Sequence, residues 1–242
     1  RVLITGASSG IGKALALQLA RKGATVLLVA RSAEKLEELR CEIRLAGGSA
    51  FAYPCDLTVE EDVKKLIAQL DAEPPVDVLV NNAGRSIRRS LSHSCDRLHD
   101  FERTMQLNYF GALRITLGLL PRMRQERNGH IIHVSSVGVP VHSPRFAAYL
   151  ASKAAFDEFS RVAAGERFGR IWIGQAGVAR DRLPADARLT LDLPEAPLEG
   201  EQRQNVLSLQ HLQVVGQGDP SMGDPMELPR KALPEVAGFQ AF

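Results

Sequence analysis

The sequence predicts an α/β protein: a doubly wound parallel sheet with helices on both faces. Three observations carry that prediction. Short apolar runs alternate with amphipathic stretches through the first three quarters of the chain. A glycine-rich turn, TGASSGIG (5–12), begins on the last residue of the first apolar run. The residues suited to ligand chemistry fall just after predicted strands, at the carboxyl ends where such sheets bind ligands.

The elements follow in order. VLIT (2–5) is a buried strand, apolar without alternation. IGKALALQLARKG spaces Ile11, Leu15 and Leu19 on one helical face and stops at Gly23. ATVLLVA (24–30) is a second strand. SAEKLEELRCEIRLAGG is a helix with Ser32 as N-cap and Gly47–Gly48 after it. SAFAYPCDL gives a third strand. TVEEDVKKLIAQLDA reads as a helix with a capping box, Thr58 with Glu61. VDVLVNNAG (76–84) is a fourth strand entering a turn, and a long helical stretch covers about 97–127, broken near its middle. GHIIHVSS (129–136) is a fifth strand, and PRFAAYLASKAAFDEFSRVAAGE a helix with Pro144 near its first turn.

Bulk composition excludes several classes. At 45% hydrophobic and 24% charged residues, the chain of 242 is an ordinary globular sequence. No apolar run reaches the roughly 20 residues of a membrane span. A net charge of +2, with scattered basic residues, argues against a nucleic-acid partner. Three cysteines without a C-x-x-C pair fit neither a disulfide framework nor a zinc site, and point to a reducing cytoplasm. The six histidines show no metal-like grouping, so no metal is expected. Arg1 opens directly on a strand, so the natural start is expected to precede it.

The glycine turn is not a P-loop: Ala7 stands where that motif needs its leading glycine, and Ala14 where it needs a magnesium-binding hydroxyl. The G-x-G-x-x-G fingerprint also fails, at Leu15. The pattern present is G-x-x-x-G-x-G: Gly6, Gly10 and Gly12. Such a turn lets the backbone approach a pyrophosphate, and the helix beginning near Gly10 offers unpaired N–H groups.

Six stretches in order, TGASSGIG, CDL (55–57), VNNAG (80–84), LNYFGAL (107–113), HVSS (133–136) and YLASK (149–153), resemble the single-domain short-chain dehydrogenase/reductase family over roughly the first 160 residues. The resemblance implies a Rossmann-like α/β/α sandwich and a nicotinamide dinucleotide on the glycine turn. It implies cofactor contacts from Gly6, Ser8, Ser9, Gly10, Ile11, Gly12, Asp56, Leu57, Asn82, Ala83 and Gly84, with Asp56 toward the adenine amine. At the end of the second strand stands Arg31, where an acid would accept hydrogen bonds from a ribose 2′-hydroxyl. A guanidinium pairs with a 2′-phosphate instead, so the expected cofactor is NADP(H). Ser32 adds a hydroxyl nearby.

Tyr149 and Lys153 lie one helical turn apart. A free phenol titrates at about 10, and a nearby ammonium favours its charged form. Tyr149 is therefore the expected general acid for carbonyl reduction, or base for the reverse. Lys153 also holds the nicotinamide ribose in this reading. Ser136 donates a hydrogen bond to the substrate oxygen, with Ser135 the second choice. Asn108 resembles the family's helix asparagine, which links to Lys153 through a water.

The expected reaction is hydride exchange between nicotinamide and the carbonyl or alcohol of a hydrophobic substrate. The stretch 81–113 is similar to members acting on acyl chains, and Arg85, Arg88 and Arg89 are candidates for an anionic head group. The alternative is a catalytically silent dinucleotide-binding module. A homodimer or homotetramer through the long helices is implied by the resemblance. The resemblance fades after Glu166: RIWIGQAGVARDRL (170–183) supplies a sixth strand with Ala176–Gly177 where the family has Pro-Gly. The expected division is a cofactor and catalytic domain over 1–183 and an atypical, partly irregular segment over 184–242, holding seven of thirteen prolines and no evident helical lid.

Overall fold

Parallel strands covered on both faces need side chains apolar on both sides, and the first strand shows how one such run is shared out. In β1 (Val2–Thr5), Leu3 enters the core on one face while Val2 and Ile4 enter the core on the other. In β2 (Thr25–Ala30), Val26 and Leu28 take the second face and Leu27 and Val29 the first. The computed structural model describes residues 1–166, 171–178 and 189–191, with side chains after residue 166 described only at Ile171 and Ile173.

The chain continues through α1 (Gly10–Arg21), α2 (Ala33–Leu45), β3 (Ser49–Pro54), α3 (Glu60–Asp71) and β4 (Val78–Asn81). Next come α4 (Leu98–Met105), a π-helical turn (Gln106–Gly111) and α5 (Ala112–Glu126). After them lie β5 (Gly129–Val134), a single turn α6 (Gly138–Val141), α7 (Ala147–Gly165), β6 (Ile171–Val178) and β7 (Leu189–Leu191). Strand order is β3-β2-β1-β4-β5-β6-β7. The first six run parallel, in register Ile4 with Leu28 and Val80, and β7 is antiparallel to β6.

Leu15, Leu19, Leu36 and Leu39 of α1 and α2 fill one layer. Val63 and Leu66 of α3 with Ile115 and Leu119 of α5 fill the other. The direction of winding reverses between β1 and β4. At that switch point the first turns of helices on opposite faces diverge, leaving a crevice at the carboxyl ends.

Several local expectations are corrected. Thr58 does not cap α3: the helix starts at Glu60 with Val59 as N-cap and no side-chain cap bond. Asp56 takes the Thr58 amide and hydroxyl on its own Oδ1, at 2.9 and 2.7 Å, so the turn is closed from upstream. Pro144 lies outside α7, in a turn where Arg145 has φ of +69°. Ile11 stays 40% exposed, unlike its helical neighbours Leu15 and Leu19, because it faces the crevice. The break in the long helix is the π-helical turn itself. Ser32 does cap α2, accepting from the Lys35 amide at 3.4 Å. Apart from β7, the segment 184–242 lies outside the described residues.

Candidate active site

Thr5, the last residue of β1, fastens the crevice. Its hydroxyl donates to the Val80 carbonyl at 3.2 Å and accepts from the amides of Asn82 and Ala83, each at 3.0 Å. The Asn82 side chain returns the link, donating to the carbonyls of Thr5 (2.9 Å) and Gly6 (3.4 Å). The glycine turn is thus clamped to the end of β4. Gly6 and Gly10 have φ of +68° and +53°, the left-handed region where a side chain is strained. Gly12 is required for a different reason: a Cβ there would stand 2.4 Å from the Gly6 carbonyl oxygen. Ser9 precedes α1 without a side-chain cap bond, so the first-turn amides remain available to an anion.

A cleft of about 450 Å³ lies on this turn. Gly6, Ser8, Ser9, Ile11, Arg31, Ser32, Asp56, Leu57, Asn82, Ala83 and Gly84 line it, while Gly10 and Gly12 shape the turn beneath. Lys35, Cys55 and Leu107 line it too, and the sequence reading did not name them as site residues. Lys35 follows Arg31 by one turn in a helix capped by Ser32; that spacing was the available signal. Asp56 lines the cleft while its Oδ1 closes the Thr58 turn.

The other end is built from α7, β5 and the π-helical turn. Tyr149 is half-buried and packs edge-on against Phe146, with ring centres 6.3 Å apart. Lys153, one turn along, is 4% exposed and donates from Nζ to the Val134 carbonyl at 2.7 Å. Burial lowers its pKa to about 8, against the opposing pull of Asp157. Asn108, buried in the π-helical turn, accepts from the Arg85 amide at 2.7 Å and donates to the Arg85 carbonyl and Ser152 hydroxyl, each at 2.9 Å. The Ser152 hydroxyl in turn donates to the Tyr149 carbonyl at 2.6 Å. A methyl group on Gly84 would lie 3.4 Å from Asn108 Oδ1 and 3.5 Å from Lys153 Nζ. The NNAG turn therefore joins the cofactor-like cleft to the Tyr149–Lys153 helix.

The two serines divide. Ser135 donates to Asp157 Oδ2 at 2.5 Å, turned into the protein. Ser136 accepts from the Gly138 amide at 3.2 Å, on the side of Leu150. Of the three arginines after the NNAG turn, Arg89 is spent on Asp100 at 3.1 Å and does not serve as a free cation. Arg85 lines an adjoining cleft with Arg31 and Arg103. His133 is buried against Phe156, with ring centres 4.2 Å apart, and burial together with Lys153 pushes its pKa down to about 2. Cys41, Cys55 and Cys95 are free thiols, and burial raises Cys55 to about 11. Among the described residues no group of three or more His, Cys, Asp or Glu is placed to hold a metal ion, and no helix is long and apolar enough to cross a membrane.

A parallel sheet with a glycine turn clamped at its switch point defines a dinucleotide-binding type of α/β protein. Its sequence narrows this further: a family model for short chain dehydrogenases matches residues 1–170. The chain belongs to the short-chain dehydrogenase family. It is 56% identical over 165 residues to a fatty acyl-CoA reductase of Acinetobacter baylyi, covering 68% of this chain and 56% of that protein. It is 46% identical over 164 residues to a fatty acyl-CoA reductase of Mycobacterium tuberculosis, covering 67% and 56%. The chain thus spans about half the length of the curated relatives it matches. Among solved structures it is similar to a metagenomic short-chain oxidoreductase in complex with NADP, at 32% identity and a TM-score of 0.70, covering 75% of this chain and 83% of that one. A short-chain dehydrogenase from Sphingobium yanoikuyae in complex with NADPH matches at 30% identity and a TM-score of 0.67, covering 73% and 69%.

Proposed function

We propose that this chain is an NADP(H)-dependent oxidoreductase acting on the carbonyl or alcohol of a hydrophobic, acyl-chain substrate. The observation that carries the reading is the convergence at Gly84, where Lys153 and Asn108 meet the cleft of the glycine turn. The residues of the cleft fit a nicotinamide dinucleotide phosphate. Uncapped amides of α1 receive a pyrophosphate, and Arg31 with Lys35 offers two cations to a 2′-phosphate. When bound, that cofactor supplies hydride exchange.

The chain's own residues then have separate tasks. Tyr149 gives the developing alkoxide its proton, or removes it in the reverse direction. Lys153 would hold the nicotinamide ribose beside it. Ser136 donates to the substrate oxygen. Asn108 holds the Arg85 backbone and, through Ser152, the Tyr149 carbonyl, so it fixes the distance between the NNAG turn and α7. The acyl-chain preference draws on the two relatives named fatty acyl-CoA reductase. The NADP(H) preference draws on Arg31 and on solved neighbours holding NADP or NADPH. A homodimer or homotetramer is the expectation carried over from the family resemblance, and free cysteines suit a reducing cytoplasm.

The test is NADPH oxidation by the purified chain against aldehydes, ketones and acyl thioesters. Turnover on a long-chain member, lost in Tyr149→Phe with NADPH binding retained, supports the reading. NADPH binding without turnover on any member favours the second reading, a catalytically silent dinucleotide-binding module. That alternative draws on the family match ending at residue 170, short of the relatives' full length.

A further inference from the structure

Behind the proposed proton-transfer site lies a polar cluster around Asp157, a residue to which the sequence assigned no role. Asp157 follows Lys153 by one turn on α7 and is 3% exposed. A carboxylate so placed costs free energy unless it is paired. Its Oδ2 accepts from the Ser135 hydroxyl at 2.5 Å, and its Oδ1 lies 3.5 Å from His133 Nε2. Both partners belong to the end of β5. From the same helix, Lys153 donates to the carbonyl of Val134, the residue between them. Three consecutive residues, His133 and Val134 of β5 and Ser135 just after it, are therefore engaged by two side chains one turn apart on α7, and Ser136 follows directly.

We propose that Asp157 is a positioning residue: a buried carboxyl group, one turn from the Lys153 ammonium, that locks α7 to the strand end carrying Ser136 and lends its charge to Lys153 across that turn. It touches no substrate in this arrangement. It acts through Lys153 and Ser135, and so rests on the function proposed above.

The charge arrangement around Lys153 supports this. On α7 it faces Asp157, with Arg161 one turn further and itself paired to Glu158 at 2.6 Å. Tyr149 stands one turn before it. From β5 it faces His133, which burial keeps neutral. From the π-helical turn it faces Asn108, which is neutral, and from β4 the Gly84 turn. The described β6 side chain in that layer, Ile173, is apolar. Asp157 is thus the one carboxyl group among the described groups that oppose the burial of Lys153, its own pKa raised by burial against the pull of Ser135, Arg161 and Lys153. Burial drives the lysine toward its neutral form and Asp157 pulls it back. Without the carboxylate, the lysine loses its charge at lower pH.

The experiment uses apo protein labelled with ε-¹³C lysine and follows Lys153 by NMR against pH, with Asp157→Asn as the main variant. The amide keeps an acceptor for Ser135 and removes the charge. The Lys153 midpoint is expected near 8 in the parent and lower by roughly one pH unit in the variant. An unchanged midpoint overturns the proposal. In NADPH-dependent turnover, the alkaline limb of the pH profile moves acidward in the variant. A uniform loss at every pH, with an unmoved limb, marks a merely structural role and also overturns it. Should Asp157→Asn fail to fold, Ser135→Ala takes its place. It removes the bond that keeps Asp157 ionised, so the midpoint falls in the same direction by less, and no change there refutes the idea. A parent that binds no NADPH would sink the function reading, while the lysine titration still decides the role of Asp157.

Discussion

Gly12→Ala sets two effects of similar size against each other. Gly12 lies inside α1, where alanine normally stabilises a helix by about 1 kcal/mol relative to glycine. Here the added Cβ would meet the Gly6 carbonyl oxygen at 2.4 Å, the Asn82 side-chain nitrogen at 2.6 Å and the Gly6 carbonyl carbon at 2.9 Å. Real Cβ atoms essentially never come closer than 3.0 Å. None of these neighbours is a flexible tip. The carbonyl belongs to a turn at φ +68°, and the Asn82 amide is held by the Thr5 carbonyl. Relieving the overlap means displacing the turn by about half an ångström and weakening a buried hydrogen bond. Overpacking of this kind costs about 1–3 kcal/mol and the bond about 1 kcal/mol more, so the clash wins. Urea denaturation should show a net loss of about 1–3 kcal/mol. NADPH binding, followed by quenching of protein fluorescence or by calorimetry, should weaken at least about tenfold, because the displaced carbonyl stands where a pyrophosphate must approach. Gly23→Ala is the control. Its φ of +86° carries the same backbone strain, but nothing lies within 4 Å of the new methyl, and it is remote from the cleft. It should lose stability by about 1–2 kcal/mol without losing cofactor. If Gly12→Ala binds NADPH like the parent, the clamped turn is not the pyrophosphate seat and the reasoning fails.

Arg31→Ala should weaken NADPH by about tenfold or more and leave NADH nearly unchanged, with Lys35→Ala a smaller step in the same direction; equal weakening of both nucleotides would remove the 2′-phosphate argument. Tyr149→Phe should lower turnover by about 10²–10⁴-fold with the NADPH dissociation constant within about twofold of the parent. Lys153 makes stability depend on pH with a definite sign. Its folded pKa, about 8, lies below its ordinary 10.5, so between these values the unfolded chain holds a proton that the folded chain has lost. The residue's contribution is therefore most favourable above 10.5 and falls by about 3 kcal/mol as pH drops to 8. Urea midpoints across that window should rise with pH in the parent, and Lys153→Met should flatten the rise; identical slopes would contradict the buried, cationic lysine.

Most of the residues that line the cleft on the glycine turn were legible in the chain because their determinants are local. A glycine turn after an apolar run, a cap three residues before an amide and a basic residue at a strand end are each fixed by neighbours in sequence. Lys35 was not named although its one-turn spacing from Arg31 was visible in the chain. The capping box at Thr58 failed for a local reason as well: Asp56 reached the Thr58 amide and hydroxyl and closed the turn before the helix began. Ser135 and Ser136 were not separable from sequence, since adjacent residues at a strand end differ only in the face they take. Their partners, Asp157 and the Gly138 amide, came from different elements.

By itself, the sequence determined the first six strands and the main helices between them, that those strands run parallel, and that the candidate site residues follow their carboxyl ends. Periodicity and turn chemistry act over a few residues, so the chain encodes them directly. The tertiary structure decided what depends on distance across the sheet. It brought Thr5 to Asn82, Asn108 to Arg85 and Ser152, and Asp157 to the end of β5. Those contacts arise from how helices settle on the two faces, and burial then sets the charge of Lys153. No spacing along the chain specifies how deeply an ammonium is withdrawn from water.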